Sequence, residues 1–271
     1  MKLYISIDIE GIAGVPSWMF GSRKNKDYEI GRDLMVGELN AAIEGALEAG
    51  VKEIIVNDSH GDMTNMNPVK VHKAARLLQG ERKPWSMMEG MGPGIDAVAF
   101  IGYHAMAGSM LGNMCHTYCG AVTEAKLNGE LWGEAELNGA FAGTFGTPLV
   151  FASGDEALAE EVKRFFPGIE AVAVKKAYGM RAALSDHPEI AREKIKEGMK
   201  KAIEKRDQIK PFRPESPCKL ECMLREPDMA DVCSRIPGTK RLSGKIISYE
   251  HEEYREIYRA FLSIMSMAAN T

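Results

Sequence analysis

The sequence predicts an α/β fold with a layered, mostly parallel sheet flanked by helices, followed by a smaller α+β C-terminal lobe. Two short apolar runs, 53–57 and 97–101, are typical of buried parallel strands. An Ile-rich and Tyr-containing run at 2–9 predicts a further strand, and residues 28–49 place apolar side chains at helical spacing. This strand–helix–strand order favours a sheet with right-handed crossovers.

The other elements of the first part of the chain follow from local signals. Residues 122–131 alternate around Asn128-Gly129, which predicts a hairpin with a type I′ turn. Apolar runs and helical periodicity then predict an alternation of helices and strands. We expect helices at 134–145 and 157–165, and strands at 148–152 and 171–174.

The C-terminal part begins with the clearest helix, predicted over 188–205 with Ser185 or Asp186 as its cap. A strand is expected over 218–224 and a final helix over 252–267. These elements suggest an α/β domain at 1–184 and an α+β lobe at 185–271. The boundary is soft and is compatible with two intertwined parts.

Composition excludes several classes of protein. The chain has 271 residues, with 34 Lys and Arg against 38 Asp and Glu, and a net charge of −4 argues against general nucleic-acid binding. No stretch reaches about 18 apolar residues without charge, so we expect no membrane partner. Asp8 and Glu10 come too early for a signal peptide. With five cysteines, an odd number, we expect reduced thiols and a cytoplasmic protein.

Metal-capable side chains follow three of the predicted strands. Asp8 and Glu10 close the first strand, His60 follows the second and His104 the third. The carboxyl ends of parallel strands form the crevice where ligands bind, so we expect these side chains to converge. Mixed histidine and carboxylate ligands favour zinc, or else manganese or cobalt. Glu134 or Glu136 could supply a further donor.

The cysteines offer two less favoured interpretations. Cys115 precedes His116, but the members of a nucleophilic Cys/His pair are rarely neighbours in sequence. Two pairs with x3 spacing could imitate a four-cysteine zinc site, although x2 spacing is more usual. These pairs are Cys115 with Cys119, and Cys218 with Cys222.

Several ordered motifs resemble those of the DppA-like D-aminopeptidases, peptidase family M55. Ser6-Ile-Asp8-Ile-Glu10-Gly11 matches the Ser-x-Asp-x-Glu-Gly signature of that family. The likeness continues through Asn57-Asp58-Ser59-His60, Gly102-Tyr103-His104-Ala105 and Gly133-Glu134 with Leu137-Asn138. It extends over nearly the whole chain.

This resemblance implies a dinuclear zinc aminopeptidase that removes N-terminal D-amino acids from short peptides. The family's ligands fall on Asp8, Glu10, His60, His104 and Glu134, and Asp8 is implied to bridge two zinc ions. His116 matches the catalytic histidine, with its role as oxyanion donor, acid/base or nucleophile left open. The resemblance also implies a homodecameric double ring. The spacing between His104 and His116 makes the segment that carries His116 the least secure part of the match.

Two other functions are compatible with clustered Asp, Glu and His side chains. A metal-dependent phosphoesterase uses similar ligands. Such a site would be expected to add Arg or Lys near the metal, and none lies within the four ligand segments. A non-catalytic peptide-binding or transport module is the other alternative, and the complete ligand set argues against it.

Overall fold

Twelve strands and seven α-helices make up the computed structural model, which describes residues 1–271. The helices are α1 (Trp18–Gly21), α2 (Tyr28–Glu48), α3 (Glu134–Gly143), α4 (Glu156–Phe165), α5 (Pro188–Lys205), α6 (Pro227–Cys233) and α7 (Tyr254–Ala269). The strands are β1 (Lys2–Ile7), β2 (Glu53–Asp58), β3 (Ala75–Leu78), β4 (Ala97–Ile101), β5 (Val122–Leu127), β6 (Glu130–Leu131), β7 (Leu149–Asp155), β8 (Glu170–Gly179), β9 (Ala182–Ser185), β10 (Cys218–Leu224), β11 (Lys240–Arg241) and β12 (Ile246–His251).

The larger sheet has seven strands in the order β3-β2-β1-β4-β7-β8-β9. All neighbouring pairs are parallel except β8 with β9, which pair antiparallel as a hairpin at one edge. The chain moves outward from β1 through β2 to β3 and then crosses to β4 on the other side of β1. The order of strands therefore reverses between β1 and β4, and such a switch point is where open α/β sheets bind ligands.

Both faces of the larger sheet are covered, as the apolar strand runs predict. Alternate residues of β1 point to opposite sides. Ile5 packs with α2 and α5, whereas Tyr4 packs with α3, α7 and the smaller sheet. Burial on both sides removes the alternation of apolar and polar residues that a half-exposed strand shows.

The smaller sheet joins the two predicted parts of the chain. Its five strands follow the order β11-β12-β10-β5-β6, so β5 and β6 pair with strands from beyond residue 185. Helix α5, also beyond 185, packs instead against α2 on the larger sheet. Elements from 1–184 and from 185–271 therefore contribute to the same layers of the fold.

Most element predictions agree with the structure within a few residues, and the exceptions are informative. Helix α5 spans the predicted residues, but its N-cap is His187, whose Nδ1 accepts from the Glu189 amide, and not Ser185 or Asp186. Ser185 ends β9, which the sequence did not predict. The predicted hairpin turn is present, with φ of 51° at Asn128 and 86° at Gly129. None of the helices combines the length and apolar character needed to cross a bilayer.

Candidate metal centre

A close crossing of two main-chain segments places the first metal-capable side chains. The Asp8 amide donates to Ile101 O at 2.8 Å, and the Gly11 amide donates to Gly102 O at 2.7 Å. A Cβ atom on Gly11 would lie 1.9 Å from Tyr103 O, so only glycine allows this approach. The segment after β1 therefore lies directly against the segment after β4.

Asp8, Glu10 and His60 form one half of the cluster. His60 Nδ1 lies 3.1 Å from Asp8 Oδ1 and 2.9 Å from Glu10 Oε2. The other oxygen of Asp8, Oδ2, lies 3.6 Å from His104 Nε2. The two oxygens of Asp8 thus face two different histidines, which suits a carboxylate that bridges two ions.

His104 and Glu134 form the other half. Glu134 is the first residue of α3, where the helix dipole favours a carboxylate. Its Oε1 accepts from the Tyr118 amide at 2.6 Å and lies 3.4 Å from His104 Nε2. Both side chains are almost fully buried, so their charges are held in a poorly solvated environment.

His116 adjoins this second half. Its ring stacks on that of His104, with 4.2 Å between centroids, and its Nε2 lies 3.8 Å from Glu134 Oε1. Trp18 packs edge-on against the other side of the ring at 5.7 Å. His104, His116 and Glu134 form one group of metal-capable donors, and Asp8, Glu10 and His104 form another.

The three histidines share an arrangement that fits metal binding. One ring nitrogen of each contacts a main-chain carbonyl oxygen: Gly21 O for His60, Ala105 O for His104 and Met114 O for His116. A carbonyl only accepts, so that nitrogen carries the proton and the opposite nitrogen of a neutral ring presents a lone pair to carboxylates. His104 Nε2 is buried without any hydrogen-bond partner. Without a cation, these nitrogen lone pairs and the carboxylate oxygens repel one another. A cation between them would remove this repulsion, so the side chains fit a metal site.

The ionisation of these groups is strongly shifted by burial and by one another. Burial opposes the charged form of His60, but the carboxylates of Glu10 and Asp8 raise its pKa well above the ordinary value. Burial and the nearby Glu10 raise the pKa of Asp8. Burial and the neighbouring His104 lower the pKa of His116. The cluster therefore holds mutually dependent charges, as sites that bind cations do.

The structure brings together all six residues predicted for the site. Glu136, the alternative donor, is not among them: its Oε2 accepts from the Gly133 amide and closes the first turn of α3. No cysteine belongs to either group of metal-capable donors, and all five are free thiols. Cys218 and Cys222 are buried on β10 in the smaller sheet. The structure therefore supports neither a nucleophilic Cys115 nor a four-cysteine zinc site.

A cavity of about 1240 Å³ opens onto the cluster. Asp8, Glu10, His60, His116 and Glu134 line it. Three cations that the sequence did not associate with the site line it too: Arg82, Lys83 and Arg259. They come from the segment after β3 and from α7, far from the ligand segments in sequence. The fold thus brings to the cavity Arg and Lys side chains that the four ligand segments lack.

Lys175 is a further residue that sequence reasoning missed. It lies on β8 and is almost fully buried. Its Nζ donates to Val15 O at 2.7 Å and also to Glu10 O. It thereby holds the main chain of the segment that carries Asp8 and Glu10. A lysine inside an apolar strand run was the available signal, because buried lysines need partners.

The chain is similar to known proteins both in sequence and in fold. Residues 1–263 match the Peptidase_M55 family model, described as D-aminopeptidase. A D-aminopeptidase of Bacillus subtilis (strain 168) is 33% identical over 272 residues, covering 100% of this chain and 99% of that protein. The solved structure of the Zn-dependent D-aminopeptidase DppA from Bacillus subtilis, a self-compartmentalizing protease, matches with a TM-score of 0.97. That match has 32% identity and covers 100% of this chain and 99% of the other.

Proposed function

Because this chain belongs to the Peptidase_M55 D-aminopeptidase family, we propose that it removes the N-terminal residue from short peptides and prefers D-amino acids there. Its class, a peptidase, follows from the family. The finer proposal is carried by the three histidines that each turn one ring nitrogen toward buried carboxylates. A similar protein of known structure is Zn-dependent, which supports zinc as the metal.

We propose that Asp8, Glu10, His60, His104 and Glu134 hold two zinc ions, with Asp8 shared between them. Asp8 Oδ1 faces His60 and Oδ2 faces His104, which supports its shared position. When bound, the zinc ions would lower the pKa of a water molecule and polarise the scissile carbonyl. The main-chain carbonyls behind His60 and His104 fix the tautomer of each neutral ring, so that the nitrogen facing the metal would be the one with the lone pair.

His116 is the proposed catalytic residue. Its side chain is 21% exposed and lines the cavity, whereas that of His104 is 1% exposed. Because Met114 O accepts from Nδ1, Nε2 of the neutral ring is free to take a proton from water or to return one to the departing amine. Contact with Trp18 and His104 on its two sides limits rotation of the ring.

We also propose that the protein assembles into a homodecameric double ring. The similar protein of known structure is self-compartmentalizing, which requires several copies. Apolar side chains exposed near the loop before His116 would suit contacts between copies; they are Met110, Leu111, Tyr178 and Met180.

The first test compares the wild type with Glu10→Gln, which keeps the size of the side chain but removes its charge. We expect about two zinc ions per wild-type chain by elemental analysis, and faster release of glycine from D-Ala-Gly than from L-Ala-Gly. Glu10→Gln should lose zinc and at least about 100-fold in kcat/KM, since one ligand of the site is gone.

Glu81→Gln is the matched control, because Glu81 lines the same cavity but lies outside the metal cluster. It should keep both zinc and activity. A wild-type chain that binds no zinc and cleaves neither dipeptide would contradict the proposed function.

A further inference from the structure

The three cationic side chains that line the cavity differ in their surroundings. Arg259 is already engaged, since its guanidinium donates to both carboxylate oxygens of Glu256 at 2.8 Å and lies over the ring of Trp85. Arg82 lines the cavity and is exposed to solvent. Lys83 differs from both because its side chain is partly buried.

Lys83 is held by neutral acceptors at the end of β2. Its Nζ donates to Asn57 Oδ1 at 2.5 Å and to Asp58 O at 2.6 Å. An ammonium has three N–H donors, so one remains for a further acceptor. These two contacts fix the position of the ammonium at the carboxyl end of β2, just before His60 in the sequence.

No carboxylate of the protein pairs with this ammonium. The nearby Asp58 carboxylate accepts instead from the amides of Asn65 and Met66, and that of Glu89 accepts from the Trp85 amide. Burial outweighs these two charges and lowers the pKa of Lys83 to about 8. A partly desolvated cation with a free donor is a good receptor for an anion.

We propose that Lys83 binds the C-terminal carboxylate of the peptide substrate and thereby selects short peptides with a free C-terminus. This inference rests on the proposed aminopeptidase function. The group that Lys83 would bind is a carboxylate, for which the ammonium supplies both a positive charge and a hydrogen-bond donor.

The reach of the site agrees with short substrates. Lys83 Nζ contacts Asp58 O, two residues before His60. Standard bond lengths therefore place the ammonium within about 9 Å of the His60 Cα atom. In an extended peptide, each residue beyond the scissile carbonyl adds about 3.6 Å to the distance from that carbonyl to the terminal carboxylate. One or two such residues, as in a dipeptide or tripeptide, add about 4–7 Å, a length of the same order as this upper limit.

The test measures cleavage of D-Ala-Gly and of its C-terminal amide by the zinc-loaded protein. We expect the wild type to prefer the free acid by about 10-fold in kcat/KM, mainly through KM. Lys83→Gln keeps an N–H donor but loses the charge, and should abolish most of that preference. Lys83→Arg should retain it, because the charge remains. An equal loss on both substrates, or an unchanged preference, would overturn the inference.

Lys245→Gln serves as the matched control, since Lys245 also donates to a main-chain carbonyl, Arg225 O, but lies outside the cavity. It should leave the preference for the free acid unchanged. Circular dichroism of each variant identifies any that fails to fold; if Lys83→Gln does, Lys83→Met, which also removes the charge, is measured in its place.

A binding measurement separates this inference from the proposed function. The probe is the dipeptide analogue whose peptide bond is replaced by a methylene-amine, used as free acid and as amide in isothermal titration calorimetry. The inference would be supported if the wild type bound the free acid more tightly than the amide and Lys83→Gln bound both equally, even if no peptide were cleaved. Cleavage of D-Ala-Gly without any preference for the acid would leave the function standing and reject the role of Lys83.

Discussion

Glu38 shows how one buried group can make stability depend on pH. It lies on α2, and its Oε1 accepts from the Ala13 amide at 2.8 Å, while its Oε2 has no partner. Burial raises the pKa of Glu38 to about 8. The side chain is therefore protonated in the folded protein near neutral pH, although it would be ionised in the unfolded chain.

The folded state binds more protons than the unfolded state between about pH 4.5 and pH 8, so this group lowers stability as the pH rises through that window. Each pH unit there costs up to about 1.4 kcal/mol. Glu38→Gln mimics the protonated form, and we expect it to flatten this part of the dependence. Urea unfolding of both proteins from pH 5 to pH 9 measures the effect; parallel curves would contradict it.

The proposed ligands Asp8, Glu10, His60 and His104 could be singled out from sequence because each lies just after the end of a strand. Asp8, His60 and His104 follow strands that meet at the switch point, a placement that any parallel sheet imposes. Lys83 could not be found in this way. Its approach to the site depends on how a segment without regular structure folds back onto β2.

At the scale of elements, the segments after β1 and β4 fix each other's position through main-chain contact. Gly11 and Gly102 allow their main chains to touch, and Gly102 has a positive φ of 65° that favours glycine. The contact sets the separation between Glu10 on one segment and His104 on the other. The geometry of the candidate metal centre therefore depends on main-chain packing as well as on the ligand side chains.

Gly11→Ala should push these segments apart, because its Cβ would overlap Tyr103 O. We expect a loss of about 2–3 kcal/mol in the free energy of unfolding and weaker zinc binding. Gly92→Ala is the control, since no atom lies within 4 Å of a Cβ there. Urea unfolding and zinc titration measure the two effects. Equal behaviour of the two variants would show that the crossing tolerates a methyl group.

Element prediction succeeded where local pattern and tertiary context agree. The fully buried strand β4 and the hairpin at Asn128-Gly129 have strong local signals. The edge strands β3 and β9 are short and partly exposed, so they show neither an apolar run nor a clear alternation. Missing β9 led to the wrong cap for α5, because Ser185 belongs to that strand.

At the scale of the whole molecule, exposed apolar side chains bear on the proposed assembly. The exposed side chains of Leu111 and Met180 lie on segments joined by a hydrogen bond from the Met114 amide to Met180 O. A patch of exposed apolar side chains on two segments suits contact between copies.

We expect the wild type to sediment as a decamer at micromolar concentration and Leu111→Glu to sediment as smaller species, since a charge in an apolar contact is costly. Leu242→Glu, at an exposed leucine near β11, should not change the sedimentation. A monomeric wild type would exclude the ring. A decameric Leu111→Glu protein would place the contact elsewhere on the surface.

The hydrogen bond from the His60 ring to Gly21 O ties a proposed metal-facing imidazole to the end of α1, 39 residues away in sequence. By thermodynamic linkage, the free energy that binds a metal to this ring also stabilises the order of that segment. Proteolytic cleavage near residue 21 would then report on metal loading. A protease could thus measure metal occupancy without any peptide substrate.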